Sequence, residues 1–64
     1  MASVTMELRA GSVVVIAAFD DVPEHLFRVD TVYDDCVGGH ALTGPFAGEY
    51  GEPDLDQILR IESE

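Results

Sequence analysis

The chain has 64 residues, with 13 Asp and Glu against 3 Lys and Arg, and a formal net charge of −10. A hydrophobic content of 47% is too high for an acidic disordered tail and predicts one small folded domain spanning 1–64. Such a length leaves a thin core that cannot wall in the pocket most multi-step enzymes need, so no catalytic activity is expected. So few cations also exclude direct binding of nucleic acid and attraction to an anionic membrane, because both require Lys and Arg to meet phosphate.

Val4, Met6 and Leu8 alternate with Thr5 and Glu7, the period-two pattern of a half-buried strand. Ala10-Gly11-Ser12 supplies a turn into Val13 to Phe19, a continuous run rich in β-branched residues that reads as a strand covered on both faces. Seven apolar residues are far too few to span a membrane, and with Glu7 upstream the run does not read as a signal peptide. A cytoplasmic protein is expected. Asp20 to Glu24 forms a loop around Pro23.

From Leu26 to Tyr33, Phe27, Val29, Thr31 and Tyr33 share one face while Arg28 and Asp30 share the other. Asp34-Asp35 then reads as a tight turn into a returning strand, Cys36 to Thr43. Gly38-Gly39 predicts a bulge or sharp bend within it. Thr43 to Pro53 carries three glycines and two prolines and reads as loop, with Phe46 and Tyr50 as anchors to the core. Asp54 and Gln57 have the spacing of a capping box, and Leu59 and Ile61 alternate around Arg60. One helical turn over 54–57 leading into a strand over 58–62 satisfies both patterns. Four or five short antiparallel strands with that turn resemble a small SH3-like barrel or a curled sheet. A three-stranded sheet carrying a C-terminal helix is the alternative.

Reactive groups are sparse. Cys36 has no second cysteine to pair with, and Asp34 and Asp35 beside it raise a thiol's pKa and blunt its reactivity. His25, Cys36 and His40 lack the spacing of a zinc motif, and Asp54-x-Asp56 is only the first fragment of a calcium loop. No metal and no cofactor is expected.

The acids, by contrast, cluster. Asp20, Asp21 and Glu24 occupy the first loop; Asp30, Asp34 and Asp35 surround the hairpin; Glu49, Glu52, Asp54 and Asp56 crowd the last connection beside Tyr50. A compact chain of this length spans about 28 Å, a length over which duplex DNA carries about 16 charges. Ten net negative charges are within a factor of two of that density.

In size, charge and acidic loops the chain resembles the phage-encoded anti-CRISPR proteins that act as DNA mimics. That resemblance implies a non-enzymatic inhibitor whose carboxylates pair with the cations of a DNA-binding surface on a CRISPR surveillance complex, shutting DNA out. The named acids and Tyr50 are its candidate partner-binding residues, and a basic protein surface is the expected partner. An SH3-like interaction module using Phe46 and Tyr50, with the acids as solubilisers, is the alternative. A neutraliser of a basic toxin shares the charge mechanism with a different partner.

Overall fold

The computed structural model describes residues 8–63. Its elements run β1 (Val13–Ile16), β2 (His25–Val32), β3 (Val37–Ala41), β4 (Tyr50–Gly51), a 3-10 turn (Leu55–Gln57) and β5 (Ile58–Ser63). All five strands join one antiparallel sheet in the order β4-β3-β2-β1-β5. Among the described residues no ladder joins β4 to β5, so the sheet is curled but unclosed. The expected strand over Val4 to Leu8 lies outside the described residues except for Leu8, which packs against the core without strand geometry.

The β-branched run ends earlier than its composition suggests, at Ile16. Because β1 pairs with β2 on one side and β5 on the other, Val14, Val15 and Ile16 are all buried. Two register shifts against β5 bend this centre of the sheet. The core proper joins Val14 and Ile16 to Phe27, Val29, Val37, Ala41 and Ile58. Each buried side chain of this kind contributes about 2 kcal/mol, and there are few of them. Stability therefore rests on every one.

The bulge falls on the other strand from the one expected. Val29 pairs with Gly39 and Thr31 with Gly38, so the extra residue is Asp30 on β2. The alternation of β2 breaks there. Tyr33, expected inward with Phe27 and Val29, is 45% exposed. The glycines serve close approach instead: a Cβ on Gly39 would strike the Arg28 carbonyl and lie 3.0 Å from the Phe27 ring.

The β3–β4 connection is a compact turn. Gly44 and Gly48 adopt left-handed φ values of 86° and 88°, which side chains disfavour, and Gly48 donates its N–H to Ala41 over 2.8 Å. Phe46 stands at its tip and is 52% exposed rather than anchored in the core. After Pro53 the chain enters the expected helical turn, where the Asp54 N–H donates to Gln57 Oε1 at 3.1 Å. The capping-box residues thus meet, and the chain passes directly into β5.

Candidate functional site

The β2–β3 turn and the 3-10 turn are distant in sequence but lie together. Leu55 N–H donates to the Asp35 carbonyl at 3.2 Å, Val37 N–H to the Pro53 carbonyl at 3.1 Å, and Cys36 forms a bridge with Asp54. Leu55 turns its side chain toward the core and pins the turn from beneath. Asp34, Asp35, Asp54 and Asp56, with Leu55, line one shallow cleft of about 410 Å³. Among the described residues none of these four carboxylates is paired with an Arg or His.

Cys36 reports the field at this end. Partial burial raises its thiol pKa above the ordinary 9.0, and Asp35, Glu52 and Asp54 add to the rise. The rise has the expected direction, but burial leads it, and of the two expected neighbours Asp35 contributes while Asp34 does not.

The remaining acids are placed elsewhere. Asp30 sits on the exposed face of β2, where it accepts the His40 Nδ1–H at 3.0 Å and approaches Arg28 Nε at 3.5 Å. Its charge is spent within the molecule. Asp20 and Asp21 form a two-residue turn between Phe19 and Val22, with Asp20 at a left-handed φ of 49°. Glu24 follows Pro23 at the same end, and the length of β2 separates this group from Asp34 and Asp35.

Glu49, Tyr50 and Glu52 border a different feature, an open apolar groove of about 430 Å³ that sequence reasoning missed. Tyr50 donates its hydroxyl to Glu52 Oε2 at 2.8 Å, and the His40 ring meets it edge-on at 5.6 Å between centroids. The hydrogen bond to Glu52, then burial, then the nearby Tyr33 push the Tyr50 phenol well above its ordinary value. Tyr50, expected with Phe46 to anchor the loop to the core, is like it more than half exposed, and both line the groove instead, which depends on a strand register that neither segment reveals alone.

Among the described residues no group of three or more His, Cys, Asp or Glu is arranged to hold a metal ion, and no helix is long and apolar enough to cross a membrane. No protein-family profile, curated protein sequence or solved structure matches the chain.

Proposed function

We propose that this protein is a non-enzymatic cytoplasmic inhibitor that offers its acidic end to a Lys/Arg-lined protein surface and competes there with nucleic acid. The observation that carries this reading is the convergence of Asp34 and Asp35 with Asp54 and Asp56 on one cleft. Four carboxylates brought together, none of them paired with an Arg or His among the described residues, repel one another, and a partner's guanidinium or ammonium groups relieve that repulsion while gaining charge-assisted hydrogen bonds. The scale supports the same reading. The molecule is 30 Å long and carries −10, against about 18 charges on duplex DNA of that length.

The resemblance to DNA-mimicking anti-CRISPR proteins implies a CRISPR surveillance complex as the partner class to test first. In a gel shift, such a complex mixed with the protein before addition of target duplex should lose its DNA band. The block should weaken as salt rises, and the Asp34, Asp35, Asp54 and Asp56 to Asn variant should not reproduce it. An undiminished block by that variant would remove the acidic end from the mechanism.

A further inference from the structure

The groove bordered by Tyr50 passes over a pair of facing glycines, of which Gly51 lines it. Gly39 of β3 and Gly51 of β4 stand opposite each other, so neither strand places a side chain over the Phe27 ring. A Cβ on Gly51 would lie only in ordinary contact with that ring, 3.8 Å from Cε2. Ile16, Phe27 and Ala41 form the base of the groove, and Phe19 and Phe46, both exposed, stand at its mouth. The ionisable groups lining it are Glu49, Glu52, His25 and Tyr50, with no Arg among them. Tyr50 and Glu52 hold each other in place.

We infer that this groove receives a bulky apolar side chain of a partner polypeptide flanked by Lys or Arg. The apolar base supplies the burial, and the carboxylate rim selects the flanking charge. The groove runs from His25 and Phe27 to Glu52 and Pro53, and it shares no lining residue with the acidic cleft of Asp34, Asp35, Leu55, Asp54 and Asp56. It therefore goes beyond the charge-based reading and does not depend on it.

The test is an NMR titration of the full-length, isotope-labelled protein with three short peptides. One carries Leu-Phe between pairs of lysines, one the same lysines around Gly-Ser, and one Leu-Phe between pairs of glutamates. Only the first should shift the amides of Phe27, Phe46 and Gly51. Gly51→Leu, which fills the groove, should weaken that binding by about tenfold or more. Because Gly51→Leu can disturb the sheet, Phe46→Ser at the exposed turn tip provides a second variant, expected to weaken binding without altering the rest of the spectrum. Replacing Asp34, Asp35, Asp54 and Asp56 with Asn should leave groove binding in place. Equal binding of the Gly-Ser or glutamate peptide, shifts confined to the acidic cleft, or unchanged affinity in both groove variants would overturn the inference. Groove amides that shift on simple dilution of the free protein would overturn it too, by making a second copy the occupant.

Discussion

Leu55 donates its amide to the carbonyl of Asp35, and this contact joins the 3-10 turn to the β2–β3 hairpin. It is a backbone bond, so the convergence of acids around it depends on the fold rather than on side chains that attract one another. Asp34, Asp35, Asp54 and Asp56 are held together against their mutual repulsion. That cost falls on a domain with a small core.

Screening should therefore stabilise the molecule. The melting temperature of the wild type should rise as NaCl increases from about 0.02 M to about 0.5 M, where the Debye length falls from ~20 Å to ~4 Å. In the Asp34, Asp35, Asp54 and Asp56 to Asn variant the low-salt melting temperature should be higher and the rise with salt smaller. Calorimetry or circular dichroism reads both. A flat wild-type response would mean that the acids do not act on one another.

Gly39→Ala should be far more damaging than Gly38→Ala. The added methyl at Gly39 meets the Arg28 carbonyl, which is backbone, whereas at Gly38 it first meets the Tyr50 hydroxyl at 2.6 Å, the far end of an exposed side chain that can shift at the expense of its bond to Glu52. Overpacking against backbone costs about 3 kcal/mol, enough to unfold a domain of this size in part. Urea denaturation of the two variants provides the comparison, with Gly38→Ala expected to stay within about 1 kcal/mol of wild type.

Tyr50 predicts the alkaline limit. Its folded pKa is raised above the ordinary 10.0, so its contribution to stability is fully present below pH 10 and is lost as pH climbs toward the folded value. The raised Cys36 thiol acts in the same direction from pH 9 upward. Stability measured between pH 8 and about 11.5 should fall with increasing pH, and Tyr50→Phe with Cys36→Ser should flatten the fall. An unchanged slope in the double variant would contradict the Tyr50–Glu52 assignment.

Local pattern made much of this architecture legible. The apolar run at Val13, the alternation from Leu26 and the Asp54–Gln57 spacing each predict the element that forms, because local propensity and burial point the same way at those positions. The bulge was not legible in the same way. Paired glycines indicate that something approaches closely, but only the register of β2 against β3 shows that the extra residue is Asp30, and that shift turns Tyr33 outward. The acidic residues could be named from sequence, but not sorted. Asp30 belongs with His40, Asp20 and Asp21 with the opposite end, and Asp34 with Asp56, because tertiary contacts decide which loops meet.

The acidic end is proposed to bind a basic, nucleic-acid-binding surface. The most direct test is capture from the lysate of a CRISPR-bearing bacterium on the immobilised wild type and, in parallel, on the Asp34, Asp35, Asp54 and Asp56 to Asn variant, with elution in a salt gradient. The wild type should retain a surveillance-complex subunit that the variant does not, and release it at moderate salt. Equal retention by both proteins, or a wild-type complex indifferent to salt, would contradict the claim.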